Sequence, residues 1–209
     1  MKEKPFLKSH KIYLRNPIDD DFINLNWHSW FNDQNTTKYN QHGIFPITRK
    51  EEIEFISKNK LSKTNISLAI VEFKNDRLVG TASLYNIDLI NRKCNIAITI
   101  GEKSYISTGI EVYGLLIEHA FNRLNMNRVQ DGTHMKLIKF VQMLQSIGFK
   151  KDGICKEYYL RDGKFEDLIM FSILAKDFFR LKNQRGGFIL FKEYEDLVEE
   201  IKKNSMKSL

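Results

Sequence analysis

Between residues 66 and 120 the hydrophobic period of the chain changes once, from two to about 3.6, and this change restricts the fold more than any other feature of the sequence. Ile66 to Phe73, Leu78 to Tyr85 and Cys94 to Ile100 are rich in β-branched and aromatic residues, and turn signals at Asn75-Asp76 and Asn91-Arg92 separate them. They predict an antiparallel meander that ends at Gly101-Glu102. Beyond it Val112, Leu115, Leu116, His119 and Ala120 recur on one helical stripe. A strand that runs straight into a helix leaves the first N–H groups of that helix unpaired, and these donors with the helix dipole attract phosphate. Tyr105 to Glu111 is such a junction, where Gly109 permits close backbone approach and Ser107 and Thr108 add hydroxyl donors. Taken alone, a small residue at this place reads first as a structural cap.

The remaining elements follow from local signals. Lys11 to Arg15 reads as a first strand, ended by Asn16-Pro17, and Asp19 to Phe31 as a helix. Asn35 to Phe45 has no clear period and reads as a loop. Thr48 with Glu51 forms a capping box that opens a helix running to Lys60. After the central helix come a strand at Val129–His134 and a helix at Lys139–Ile147, with Gly148 as its left-handed cap. Two strands follow, Phe149–Glu157 and Leu168–Leu174, with a tight turn at Arg161 to Lys164 on their connection. The order predicts an α/β (α+β) fold, a mixed and mostly antiparallel twisted sheet flanked by helices. Residues 1–176 form the domain, and residues 177–209 a helical extension. In that extension Leu190, Tyr194, Leu197, Val198 and Ile201 recur at helical spacing. Such a helix packs back on its own domain or makes a homo-oligomer contact.

The chain has 209 residues, enough for one domain or one domain and an appendage. No run approaches the roughly 20 apolar residues that span a bilayer. Met1 to Lys11 is basic without an apolar core, so no secretory signal is read there and a cytoplasmic protein without a membrane partner is expected. Cys94 and Cys155 lack metal-ligand spacing and are expected as reduced thiols, with no metal. A net charge of +7 suits an anionic ligand such as a nucleotide or CoA. Lysines and arginines are scattered and no nucleic-acid motif occurs, so nucleic acid is not expected as a partner.

Several segments carry a resemblance when taken in order. They are Leu78-Val79-Gly80, Ile98 to Glu102, Tyr105 to Gly109, His119-Ala120-Phe121, Leu124 to Val129, Ile147 to Lys150 and Arg161 to Lys164. From Lys11 to Ile173 the chain resembles the GNAT superfamily of acyl-CoA-dependent N-acyltransferases. It is most similar to the branch of ribosomal-protein N-terminal acetyltransferases and nucleotide-sugar amine acyltransferases. The resemblance implies that two parallel strands, Asn95–Gly101 and Val129–His134, splay apart. It implies that acetyl-CoA or another short acyl-CoA lies between them, held by the backbone of Ile98 and Ile100. The diphosphate is then expected on the amides of Ser107, Thr108, Gly109, Ile110 and Glu111. The N–H near Ile100 would stabilise the thioester oxyanion.

The departures are specific. The family loop reads Q/R-x-x-G-x-G/A, whereas here Ile106 takes the first place and Glu111 the last. Leu144 stands where the family often has a tyrosine that protonates the leaving thiolate, and Leu137 where an asparagine often contacts CoA. For deprotonating the amine, Glu102 at the end of the splayed strand and His134 at the end of its partner are the candidates. The acceptor is expected against Tyr39, Asn40, His42, Tyr85 and Asn86. Trp27 and Trp30 belong either to that surface or to the core of the first helix. The expected reaction moves a short acyl group, acetyl or a longer one such as 3-hydroxybutyryl, to the amine of a dTDP- or UDP-linked amino sugar for surface polysaccharide. The alternatives are a protein N-terminal acetyltransferase and a CoA-binding module without catalysis.

Overall fold

The computed structural model describes residues 3–23, 27–39, 42–101 and 106–187. Eight strands form one sheet in the order β1-β2-β3-β4-β5-β6-β8-β7. They are β1 (Leu7–Lys8), β2 (Ile12–Arg15), β3 (Ile66–Glu72), β4 (Leu78–Asp88), β5 (Lys93–Ile100), β6 (Arg128–His134), β7 (Lys150–Arg161) and β8 (Lys164–Leu174). Every neighbouring pair is antiparallel except β5 and β6. The three-strand meander appears at the expected place, with β4 running on to Asp88 past a bulge. β7 and β8 extend to the turn itself, because Asp162 and Gly163 both take positive φ and close a two-residue hairpin.

Helices cover both faces. Before the meander lie α1 (Asp19–Ile23), α2 (Trp27–Asn32), α3 (Gln34–Thr37) and α4 (Arg49–Lys60). α4 opens with the capping box of Thr48 and Glu51 in full. Residues 35–45, expected as a loop, contain α3, because the Asp33 side chain accepts from the N–H groups of Asn35 and Thr36 and caps a single turn. These helices bury Phe22, Trp27, Trp30 and Ile56 against Tyr13, Ala69 and Val71. Trp27 and Trp30 are therefore core residues. A Cβ on Gly101 would fall 1.9 Å from the Trp30 ring, so the indole fixes glycine there.

The opposite face carries α5 (Ile106–Asn122), α6 (Ile138–Ser146) and α7 (Ala175–Gln184). Ile110, Tyr113, Leu116 and Ile117 of α5 pack on Leu68, Leu84, Ile96 and Val129, and Phe178 of α7 joins the same core. Gly148 ends α6 at φ +97°, as the sequence predicts. Residues 190–201 lie outside the described residues. Among the described residues no helix is long and apolar enough to cross a membrane.

Candidate active site

The site is built on the one parallel pair. β5 and β6 pair only at Lys93↔Arg128, Cys94↔Val129 and Asn95↔Gln130, although β5 continues to Ile100 and β6 to His134. Beyond Asn95 and Gln130 the strands part.

Hydrogen-bond parity fixes which backbone groups face the gap. The Gly101 N–H donates to the Val79 carbonyl at 3.1 Å, flanking the pair Gly80↔Ile100. Antiparallel ladders alternate, so Ile100, Ile98 and Ile96 turn their N–H and C=O away from β4. On the other wall the Ala175 N–H donates to the Asn127 carbonyl at 2.9 Å, flanking Arg128↔Leu174. Gln130, Gly132 and His134 therefore turn their backbone groups away from β8. Ile96 and Gln130 lie beside the last paired residues, which leaves Ile98 and Ile100 on one wall and Gly132 on the other without a strand partner.

α5 begins at Ile106, so the N–H groups of Ile106, Ser107 and Thr108 have no carbonyl four residues back within the helix. Those of Ile110 and Glu111 are spent on the carbonyls of Ile106 and Ser107. The expected cradle from Ser107 to Glu111 thus narrows to its first residues. Glu111 does not face that end. It is buried, and its Oε2 accepts the Lys11 backbone N–H at 3.1 Å, while Oε1 has no hydrogen-bond partner.

On the face of α1 to α4, His134 at the end of β6 is 2% exposed. Its Nδ1 accepts the Lys136 backbone N–H at 3.1 Å and its Nε2 meets a Glu166 oxygen. A ring nitrogen that accepts is unprotonated, so the proton sits on Nε2 and Nε2 donates to Glu166. The other Glu166 oxygen takes the Lys136 Nζ at 2.6 Å. These bonds, that of Lys136 first, hold Glu166 below the usual carboxylate range. The Tyr39 ring centroid lies 4.9 Å and the Tyr159 centroid 6.0 Å from His134. Tyr159 is aimed inward by the irregular stretch between Cys155 and Tyr159, where Glu157 has a positive φ. Burial and the neighbouring Tyr158 push the Tyr159 hydroxyl up to about 12. Next to it a cleft of about 430 Å³ is lined by His42, Phe45, Tyr158, Tyr159, Leu160 and Arg161, among others.

The structure thus brings His134, Tyr39 and His42 to one side of the gap. Tyr85 reaches the same side at the closed end, where it pairs with Asn95. Asn86 does not join them. β4 runs antiparallel to β5, so each residue after Tyr85 moves away from the gap, and the exposed Asn86 bonds instead to Asn65. Glu102 and Asn40 lie outside the described residues.

The sequence reading missed Asp131, Tyr159 and Glu166. Asp131 left a signal. Val129 and Thr133 share its parity on β6, and this face is buried against α5. A carboxylate at a core-facing strand position calls for a partner. That partner is the Tyr113 hydroxyl of α5. Burial raises the Asp131 carboxyl to about 7.

Residues 11–150 match the family model described as the acetyltransferase (GNAT) domain. The chain belongs to the GNAT acetyltransferase family. It is an acyl-CoA-dependent N-acyltransferase, and its splayed parallel pair lies in the sheet where the resemblance implies it. The uncharacterized N-acetyltransferase p20 of Bacillus licheniformis is 26% identical over 157 residues, covering 71% of this chain and 85% of that protein. Among solved structures, the spermidine N-acetyltransferase from Vibrio cholerae in complex with CoA and spermine matches with a TM-score of 0.72 at 18% identity. It covers 81% of this chain and 98% of that one. A GCN5-related N-acetyltransferase from Brucella melitensis matches with a TM-score of 0.70 at 17% identity, over 90% of this chain and 86% of that one. These two likenesses establish the shared fold. Among the described residues no cluster of three or more His, Cys, Asp or Glu is placed to hold a metal ion.

Proposed function

We propose that the protein transfers a short acyl group from CoA to an amine carried on an anionic, ring-bearing acceptor, of which a nucleotide-linked amino sugar is the best-fitting class. The observation that carries this reading is the lining of the acceptor side. Aromatic faces from Tyr39, Phe45, Tyr158 and Tyr159 gather there with the cations Lys38, Lys136 and Arg161. The carboxylates beside them are Glu166 and Asp162, and Glu166 is already held by Lys136 and His134. Such a surface stacks on rings and attracts phosphate. A free polycation would meet mostly like charge.

The groups of Ile98 and Ile100 without a strand partner among the described residues fit the amide-bearing arm of CoA as an added strand, and the N–H groups at the start of α5, which have no acceptor within the helix, fit its diphosphate. Acyl-CoA supplies the thioester. The chain lays that thioester along β5, where a backbone N–H of the gap stabilises the negative charge that builds on its oxygen during attack. His134 has both ring nitrogens engaged, so it holds Glu166 and backs Tyr39 rather than taking the amine proton. Glu166, held low by its partners, is a weak base. The amine therefore enters neutral or gives its proton to water.

Release of free CoA thiol from acetyl-CoA and from longer acyl-CoAs tests this. The panel of acceptors holds dTDP- and UDP-amino sugars, spermidine and a peptide with a free N-terminus. Turnover is expected with an amino sugar nucleotide. Turnover confined to spermidine or the peptide overturns the acceptor reading.

A further inference from the structure

We infer that Asp131, held by Tyr113, is the acid that gives the departing CoA thiolate its proton. Aminolysis of a thioester breaks a C–S bond and leaves the electron pair on sulfur, and a donor beside that sulfur stabilises the thiolate as it forms. On the helix side of the gap, the α6 position where the resemblance places such a group holds Leu144, fully buried and apolar. Asp131 lies on that side. It is the first residue of β6 past the last pair with β5.

Its carboxyl reaches the gap edge, because Oδ1 accepts the Gly132 N–H at 2.7 Å, and parity turns that N–H toward the gap. The residue is 7% exposed, whereas Tyr113 behind it is wholly buried. The carboxyl is therefore the member of the pair that an occupant of the gap touches. Among the described residues, the ionisable groups recorded as interacting with Asp131 are phenols. They are Tyr113 from α5, Tyr85 from β4 and, farther off, Tyr159 from β7. Burial raises the carboxyl to about 7 against the lowering effect of its two donors, so it holds its proton as pH approaches neutral.

The proton balance closes. The amine nitrogen bonds to the carbonyl carbon and loses one proton on the acceptor side. Carbon and sulfur separate, and the Asp131 proton passes to sulfur to give the free thiol. The carboxylate left behind keeps two donors, the Tyr113 hydroxyl and the Gly132 N–H, and regains its proton from water once the product leaves. Attack and departure are thus served from opposite faces of the sheet.

The inference rests on acyl-CoA occupying the β5–β6 gap. Calorimetric binding of acetyl-CoA tests that premise separately, since Ile98→Pro removes one gap-facing N–H and should abolish binding. Hydroxylamine serves as the amine, so the identity of the natural acceptor does not enter. For wild type, kcat should fall as pH rises through about 7. Asp131→Asn should lower kcat by about 100-fold and flatten that limb, with KM for acetyl-CoA within about twofold of wild type. Tyr113→Phe removes a bond that lowers the Asp131 carboxyl, so the limb should move to higher pH. The inference is overturned if Asp131→Asn keeps the wild-type kcat and profile. Carbon-13 NMR of aspartate-labelled protein gives a reading that needs no turnover. The Asp131 carboxyl signal should titrate near 7 and vanish in Asp131→Asn. A signal that stays ionised through neutral pH also overturns the inference.

Discussion

Glu52→Gln should raise the stability of the protein at alkaline pH and leave it nearly unchanged in acid. Glu52 sits on the buried side of α4, 6% exposed, and neither carboxyl oxygen has a hydrogen-bond partner. The His28 imidazole lies beside it, with Nδ1 3.4 Å from Oε2, and Arg49 lends weak support from the same helix. Burial dominates and moves the carboxyl from 4.5 to about 7. The sign follows from linkage. Below 4.5 the acid is protonated in both the folded and unfolded chains and costs nothing. Between 4.5 and about 7 the unfolded chain ionises while the folded one holds its proton, so stability falls as pH rises. Above that window the full cost is present, and at about 1.4 kcal/mol for each tenfold change it amounts to about 3 kcal/mol. The glutamine amide lacks partners just as the protonated acid does, so the two costs cancel and the net gain stays at about 3 kcal/mol, or roughly 6–12 °C in Tm for a chain of this size. Urea denaturation at about pH 5 and about pH 8 measures both ends of the window. A variant that shifts the midpoint equally at both pH values, or is less stable than wild type at the higher one, would refute the reasoning.

Three further outcomes follow from the same structure. Gly109→Ala should leave stability unchanged or raise it by up to about 1 kcal/mol, because a Cβ there meets only ordinary contacts from 3.4 Å outward. It should weaken acetyl-CoA binding, measured by calorimetry, if the diphosphate lies against this turn. Glu111→Ala removes the acceptor of the Lys11 N–H and the buried side chain that carries it, and should cost about 1–2 kcal/mol in chemical denaturation. Arg15→Ala leaves Asp21 buried and wholly shielded from solvent, and should cost about 3–5 kcal/mol by the same measurement, since the pair is bound through both guanidinium nitrogens at 2.7 and 2.6 Å.

The elements that build the site were legible wherever one signal governed the local structure. The meander followed from period-two runs and turn residues, α4 from its capping box and the end of α6 from Gly148. The splay was not legible in the period at all. Nothing in the alternation of Lys93–Ile100 distinguishes residues that pair with β6 from residues that do not, so that expectation came through the resemblance alone. The acceptor side was only half visible. Tyr39 and His42 stood out as aromatic and polar residues in an aperiodic stretch, whereas Glu166 and Tyr159 arrive from a hairpin far along the chain. Their meeting with His134 depends on β8 inserting between β6 and β7. Asn86 failed as a candidate for the same kind of reason, since proximity in sequence to Tyr85 says nothing about which way β4 runs past the gap. Glu111 looked hostile to a diphosphate because its charge was visible and its bond to Lys11, 100 residues away, was not.

The parting of β5 and β6 also makes the sheet two panels joined by a short seam. β1 to β5 form one panel and β6, β8 and β7 the other, and three residue pairs stitch them together along the backbone. Acyl-CoA laid on the backbone groups of Ile98 and Ile100, as proposed above, would lengthen that seam with groups that β6 leaves unmatched. Under that proposal substrate occupancy and panel cohesion are one quantity, and each turnover would end with the enzyme giving up a piece of its own sheet as product leaves.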